Sequence, residues 1–132
     1  MIIVNADGGA RGNPGPGAIG VIVRDNEKVL ETFSEKLGKT TNNIAEYTAL
    51  IRGLSLAAKH TKDELKVCMD SKLVIEQLKG NFAVRTPHIL PLFEEAKRKT
   101  LVYKKVSFVH VARTDEFQAL ADELVNKALD DI

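Results

Sequence analysis

The sequence predicts an α/β protein in which helices cover a mixed β-sheet. Three observations lead to this prediction: the first third of the chain is rich in strands, a long amphipathic helix follows, and short strands then alternate with helices. The order of elements, βββαβααβα, is typical of a sheet with flanking helices and differs from that of a sandwich or a bundle. At 132 residues the chain is expected to form a single domain, residues 1–132.

The strand-rich third begins with the apolar run Ile2-Ile3-Val4, which predicts a strand over residues 1–7. Two further strands are predicted over residues 18–25 and 28–37. These two strands are joined at Asp25-Asn26-Glu27, and such a short, turn-rich connection favours an antiparallel hairpin.

Beyond residue 40 the apolar residues recur at the helical period, which predicts a helix over residues 42–60 with Thr41 or Asn42 as its N-cap. The later elements are predicted as strand 65–70, helix 71–78, helix 87–100, strand 105–111 and helix 115–129. The apolar stripe of the last helix is expected to consist of Phe117, Leu120, Ala121, Leu124 and Ala128.

The amino-acid composition indicates the class of protein to which the chain belongs. Hydrophobic residues make up 44% and charged residues 28%, with a net charge of +1; these values are typical of a globular domain. Cys68 is the single cysteine, so no internal disulfide and no paired zinc spacing exist in the sequence. The sequence contains no basic stretch followed by a long apolar segment and no run of about eighteen apolar residues, so we expect neither a signal peptide nor a membrane span. We therefore expect a cytoplasmic monomer with no membrane partner.

Four acidic residues stand at unusual places, and each has an ordinary alternative explanation. Asp7 and Asp70 each close a short apolar strand, although Asp70 also precedes a helix and could serve as its cap. Glu46 borders the buried face of the long helix, where it could be a partner of the helix dipole. Asp122 lies on the flank of the last helix and could be a surface acid.

Considered together, the four acids point to a site for cations. If the first and fourth strands are parallel neighbours, Asp7 and Asp70 emerge at one edge of the sheet, where open α/β sheets bind ligands. Four carboxylates that converge there would repel one another unless cations occupied the space between them. Oxygen ligands suit Mg²⁺ or Mn²⁺, and two such ions can support phosphodiester hydrolysis without a nucleophilic side chain.

Four motifs carry a family resemblance: Asp7-Gly8-Gly9-Ala10-Arg11-Gly12-Asn13-Pro14-Gly15-Pro16-Gly17, Thr41-Asn42-Asn43-Ile44-Ala45-Glu46, Asp70-Ser71 and Ala121-Asp122-Glu123-Leu124. Over almost its whole length the chain resembles type 1 ribonuclease H, also called ribonuclease HI. The first two motifs form a specific pair, and each of the other two would be weak alone.

The resemblance implies a ribonuclease H-like fold, a five-stranded mixed sheet whose three N-terminal strands are antiparallel. It also implies an enzyme that uses two Mg²⁺ ions to cleave the RNA strand of an RNA/DNA hybrid, leaving 3′-hydroxyl and 5′-phosphate ends; Mn²⁺ is a possible substitute. Asp7, Glu46, Asp70 and Asp122 match the family's metal-binding acids. By the same analogy Asp7 would bridge both ions, Asp122 would serve the water-activating side, and Glu46 with Asp70 the leaving-group side.

The resemblance also suggests residues that contact the substrate. Asn13, Asn42 and Asn43 resemble family residues that meet the minor groove of the hybrid, and Thr41 resembles one that meets a DNA phosphate. An asparagine amide is both a donor and an acceptor, which suits a groove that displays base edges and 2′-hydroxyls.

The chain departs from the family pattern in three ways. Residues 112–116 contain no histidine where many members carry a flexible one, so Arg113 is the candidate auxiliary residue and His110 is expected to be structural. Residues 79–88 are too few for the basic protrusion that grips DNA, and Phe82 or the lysine-rich residues 97–105 are possible substitutes. Gln118 stands where an asparagine often precedes the final acid.

Two other functions compete with the hybrid endonuclease. One is a non-catalytic nucleic-acid binding module of the same fold, whose signature would be the loss of an acid, and none is lost. The other is a related metal nuclease that acts on double-stranded RNA or DNA, which intact acids do not exclude.

Overall fold

The computed structural model describes residues 1–131 and contains a five-stranded mixed sheet in the order β3-β2-β1-β4-β5. The strands are β1 (Ile2–Ala10), β2 (Gly15–Asp25), β3 (Lys28–Thr40), β4 (Glu64–Met69) and β5 (Lys105–His110). β1, β2 and β3 are antiparallel, whereas β4 pairs in parallel with both β1 and β5. The predicted mixed sheet with three antiparallel N-terminal strands is confirmed.

The helices within the described residues are α1 (Asn42–Ala57), α2 (Lys72–Leu78), α3 (Leu90–Thr100) and α4 (Glu116–Asp130). α1 ends three residues before the predicted boundary because the amides of Lys59 and His60 donate to Leu56 O and Ala57 O in a tightened final turn. α3 begins later than predicted because residues 87–89 form a turn, in which Thr86 O accepts from the amides of Ile89 and Leu90.

The glycine-rich opening segment belongs to the sheet, although residues of this kind are usually read as strand breakers. β1 continues to Ala10, which pairs with Gly17, and β2 begins at Gly15, which pairs with Thr40 of β3. The three strands therefore extend beyond the predicted boundaries at residues 7, 18 and 37. Ladder pairing with neighbouring strands outweighed the low strand propensity of glycine here.

The two faces of β1 contact different helices because successive side chains of a strand point to opposite faces. Val4 and Ala6 belong to the main core together with Tyr47, Leu50 and Leu54 of α1. The other face carries Asn5 and Asp7 toward α4, whose Gln118 amide bonds to Asn5. α1 and α4 thus cover opposite faces of the sheet.

The buried stripe of α4 is rotated relative to the prediction. Leu120 is 38% exposed, and the buried residues are Gln118, Ala121, Val125 and Leu129. A polar residue takes a central position in the stripe because its amide is fully hydrogen-bonded inside the protein. No helix within residues 1–131 is both long and apolar enough to cross a lipid bilayer.

The contact between α1 and β1 depends on a missing side chain at Gly8. A Cβ at this position would lie 2.2 Å from Ala45 O and 2.8 Å from Glu46 N. Both atoms belong to the helix backbone, which cannot rotate out of the way. The close approach of α1 to β1 therefore requires glycine at residue 8.

We expect Gly8→Ala to lower the free energy of unfolding by about 1–3 kcal/mol, the usual cost of overpacking. Gly9→Ala is the matched control and should be close to neutral, because its Cβ would meet only Asn42 Oδ1 at 3.8 Å. Urea unfolding of both variants checks the prediction. Equal losses of stability would show that the contact at Ala45 is not the limiting one.

Candidate active site

Asp7 and Asp70 emerge at the same edge of the sheet, as the sequence predicts. The parallel pairing of β1 with β4 ends at Asn5 and Cys68, and the two aspartates follow two residues later on each chain segment. β1 continues past this point only through its pairing with β2, which places Asp7 opposite Gly20. Ser71, rather than Asp70, caps α2 by accepting a hydrogen bond from the Val74 amide, so the capping explanation for Asp70 is wrong.

Glu46 reaches this edge from α1. Thr41 is the N-cap of α1, with its hydroxyl oxygen accepting from the Ile44 amide at 3.3 Å. The first turn contains no acid, so Glu46 lies beyond the positions where a dipole interaction is strongest. The packing of Gly8 beneath Ala45 and Glu46 brings this part of the helix next to Asp7.

Asp122 reaches the same edge from α4. A Cβ at Gly20, the residue paired with Asp7, would lie only 2.2 Å from Ala121 O. The absence of that atom lets α4 lie directly on the sheet one residue before Asp122. Asn126 donates to Asp122 Oδ2 at 3.3 Å, and Asp122 is half-buried rather than a free surface acid.

The four acids line one open cleft of about 740 Å³. Sequence reasoning had not singled out Arg11 and Asn126, which also line it, and Arg11 forms an ion pair with Asp130 at 2.6 Å. Arg11 lies inside the opening motif and could have been noticed there. Asn126 carries no sequence signal beyond its spacing of four residues from Asp122.

Burial and repulsion perturb two of these carboxyls strongly. Asp7 is 7% exposed. Burial raises its pKa from 3.8 to about 8, assisted by the charge of Asp70 and by a hydrogen bond and charge from Asp122, while the charge of Arg113 lowers it. Burial raises the pKa of Glu46 from 4.5 to about 7, with a smaller opposing effect from a Ser71 hydrogen bond and a further increase from Asp70. The site therefore disfavours its own negative charge when no cation is bound.

The donor set fits a magnesium-like ion. Among residues 1–131, no three acidic, histidine or cysteine side chains form a ready-made cage around a metal. Mg²⁺ seldom uses such a cage: it keeps several waters and is held by one or two carboxylates together with substrate phosphates. An open cleft with four half-buried or buried carboxylates matches that requirement better than it matches a closed zinc site.

Two of the predicted substrate-binding residues, Asn13 and Asn42, join the β1–β2 connection to the start of α1 beside the cleft. Asn42 lines it, and its Oδ1 accepts from the Ala10 amide at 2.9 Å. Asn13 Oδ1 accepts from the Asn42 amide at 3.1 Å. Thr41 lines a neighbouring depression of about 560 Å³, and Asn43 is not among the residues that line either hollow.

Arg113 and His110 flank the opposite side of the cleft. Arg113 Nε lies 3.7 Å from Asp70 Oδ2, and the arginine side chain is 76% exposed. His110 Nε2 lies 3.1 Å from Asp70 O at the end of β5. The side chain of His110 is exposed and lines the cleft, and its structural role stays a prediction.

Comparison with known proteins identifies the family. The chain matches the family model described as Reverse transcriptase-like over residues 5–128. It is 40% identical to the bifunctional protein Rv2228c of Mycobacterium tuberculosis over 98% of this chain and 35% of that protein. The structure of the N-terminal RNase H domain of Rv2228c superposes with a TM-score of 0.92, covering 98% and 93% of the two chains.

Ribonuclease HI of Halobacterium salinarum is 37% identical over 95% of this chain and 62% of that protein. The crystal structure of RNase H1 from the same organism superposes with a TM-score of 0.92 over 99% and 98% of the two chains. The chain belongs to the ribonuclease HI family.

A further ribonuclease HI structure, LC11-RNase H1 from compost, was solved in complex with an RNA/DNA hybrid. It is 40% identical to this chain, covers 98% and 97% of the two chains, and has a TM-score of 0.91. The chain spans about a third of the length of the mycobacterial relative and less than two thirds of the curated Halobacterium ribonuclease HI.

The raised pKa values predict that stability without metal falls as the pH rises. An acid with a higher pKa in the folded state holds its proton more tightly when folded, so it favours folding below its unfolded pKa. For Asp7 that contribution is lost between 3.8 and about 8, and for Glu46 between 4.5 and about 7. We expect the Tm in EDTA to decrease across this range.

Asp7→Asn should flatten this decrease and raise the Tm at the alkaline end, because the amide removes the buried charge. Asp63→Asn is the control, since Asp63 is 77% exposed in a surface pair with Lys104. Differential scanning calorimetry from about pH 4 to about pH 8 checks the prediction. Parallel curves for Asp7→Asn and wild type would contradict it.

Proposed function

We propose that this chain is an endonuclease that hydrolyses the RNA strand of RNA/DNA hybrids with two divalent cations, Mg²⁺ or its substitute Mn²⁺, leaving 3′-hydroxyl and 5′-phosphate ends. The observation that carries the proposal is the burial of Asp7 beside Asp70 and Asp122, which leaves a carboxylate that a cation would stabilise. The neighbour solved with an RNA/DNA hybrid supports the choice of substrate.

Asp7, Glu46, Asp70 and Asp122 are the residues that would hold the cations. When bound, two divalent cations supply an activated water and neutralise charge on the leaving oxygen. Asp7 lies at the centre of the group, because α1 and α4 approach it from opposite faces of the sheet through Gly8 and Gly20.

Recognition of the hybrid would come from the β1–β2 connection and the start of α1, which Asn13 and Asn42 hold together. Both side-chain oxygens already accept backbone hydrogen bonds, while the amide N–H₂ groups of both residues are donors available to ligands. A wide minor groove displays 2′-hydroxyls and base edges to such donors, and the 2′-hydroxyl distinguishes the RNA strand from DNA. Thr41 and Asn43, in the same segment, are the further candidates for contacts with the substrate.

We expect Asp7→Asn and Asp122→Asn each to reduce hybrid cleavage in Mg²⁺ by roughly 100-fold or more, equivalent to about 3 kcal/mol of transition-state stabilisation. Glu123→Gln is the matched control on α4, because Glu123 is 55% exposed and pairs with Lys127. Cleavage of an end-labelled hybrid by each variant, with Mg²⁺, Mn²⁺ or EDTA, measures the effect.

Duplex RNA and duplex DNA of the same sequence complete that experiment. Activity that survives EDTA would rule out the metal-dependent mechanism. Equal cleavage of duplex DNA or duplex RNA would identify a nuclease of different specificity. Tight binding without cleavage of any substrate would identify a binding module.

Arg113 is proposed to assist release of the phosphate product, because its guanidinium is exposed and stands beside Asp70. We expect Arg113→Ala to slow multiple-turnover cleavage about tenfold while leaving the single-turnover rate nearly unchanged, since release is absent from a single turnover. Arg113→Lys, which keeps the charge, should recover part of the loss. An equal reduction of both rates would show that Arg113 acts before release.

A further inference from the structure

Two buried amide side chains connect β1 with α4 beneath the acids. Asn5 and Gln118 are each 0% exposed. Asn5 Nδ2 donates to Gln118 Oε1 at 3.1 Å, and Gln118 Nε2 donates to Ala6 O at 2.9 Å. Arg24 Nε donates to Asn5 Oδ1 at 2.9 Å, which fixes the orientation of the Asn5 amide. We call the Asn5–Gln118 pair the amide clamp.

On both β1 and α4, the residue of the amide clamp precedes the acid in the chain. Asn5 precedes Asp7 by two residues on the same face of β1, an advance of about 6.6 Å along a strand. Gln118 precedes Asp122 by four residues on nearly the same side of α4, an advance of about 6 Å along a helix. Both advances start from the same bonded pair and are about equal. The two carboxylates therefore lie at about the same height along the axis of β1.

α4 runs in the same direction as β1, so the two advances lead toward the same end of the sheet. Gln118 lies over Asn5 and Ala6, and Ala121 O lies against Gly20, the partner of Asp7. At the far end, Arg11 beyond β1 pairs with Asp130. The order of contacts along α4 therefore follows the order of residues along β1.

The contact at Gly20 sets how closely α4 approaches the sheet, and the apolar contacts of α4 are less specific about register than the amide clamp. The apolar cluster of α4 consists of Ala18, Val125 and Leu129, with Ala128 packed against it. Contacts between apolar side chains are non-directional, whereas a pair of buried amides is satisfied only where donor meets acceptor. Buried polar pairs are known to specify register in packed helices.

We propose that the amide clamp sets the axial register of α4 on β1 and thereby the separation of the Asp7 and Asp122 carboxylates, so that Asn5 and Gln118 are positioning residues for the cation site. The inference rests on the proposed function in one respect: these two acids are taken to hold a divalent cation. Partners that orient metal-binding side chains typically contribute 10–100-fold to metal affinity or activity.

The test shortens and then restores the amide clamp. Gln118→Asn keeps the amide but removes one methylene, so α4 must shift or lose a hydrogen bond. The swap Asn5→Gln with Gln118→Asn returns the total number of methylenes to that of the wild type. We expect Gln118→Asn to raise the half-saturating Mg²⁺ concentration roughly tenfold or more, and the swap to recover most of that loss.

Gln77→Asn is the matched control because it makes the same change at another buried amide. Gln77 is 8% exposed, accepts from Tyr47 OH at 2.6 Å and donates to Ala83 O at 3.4 Å. This variant should lose stability in EDTA but keep the Mg²⁺ dependence of the wild type. A general loss of packing is thereby separated from a loss of register.

Each protein is measured in two ways: the Mg²⁺-induced rise in Tm, which needs no substrate, and the Mg²⁺ dependence of hybrid cleavage. Bound ligand raises the Tm according to its affinity for the folded state, so both readouts should shift together. The inference is overturned if Gln118→Asn matches Gln77→Asn in Mg²⁺ dependence, or if the swap recovers nothing. A wild type that binds Mg²⁺ without cleaving hybrid would instead overturn the proposed function and leave the amide clamp standing.

Discussion

The burial of the Asp7 carboxylate is the constraint on which the rest of the site depends. Asp7 is the point where β1 loses its parallel neighbour β4 yet remains paired with β2, so its side chain lies inside the protein at an open edge of the sheet. A charge in that position is unfavourable without a compensating cation, and Asp70 and Asp122 increase the effect. Under the proposed function, a cation from outside the chain would supply that compensation.

Two glycines and two helices enforce this arrangement. Gly8 admits the backbone of α1 on one face of the sheet, and Gly20 admits that of α4 on the other. Each helix carries an acid next to the close contact, at Glu46 and at Asp122. Because backbone atoms make both contacts, the distance of each helix from the sheet depends little on side-chain rotamers. Three of the four acids lie on strands or helices, and Asp70 directly follows β4.

The stability needed to hold repelling acids comes from the well-packed core between the sheet and α1. That core contains buried tyrosines whose hydroxyls are satisfied, Tyr47 by Gln77 and Tyr103 by Leu54 O. Within residues 1–131 no buried side-chain nitrogen or oxygen lacks a hydrogen-bond partner. The negative charge of Asp7 and Glu46 is the unfavourable feature of the cleft that a bound cation would relieve.

The sequence by itself determined the order of strands and helices, the hairpin and the four acids, because local periodicity and short motifs carry that information. It misplaced the ends of β1 and β2, since the sheet pairing of Gly8, Gly9 and Gly15 depends on neighbours distant in the chain. The sequence also did not predict the burial of Gln118. A polar side chain is buried only where it finds hydrogen-bond partners, here Asn5 and Ala6 O. Only the tertiary structure decided which acids meet, since that depends on how closely α1 and α4 approach the sheet and on where α4 lies along β1.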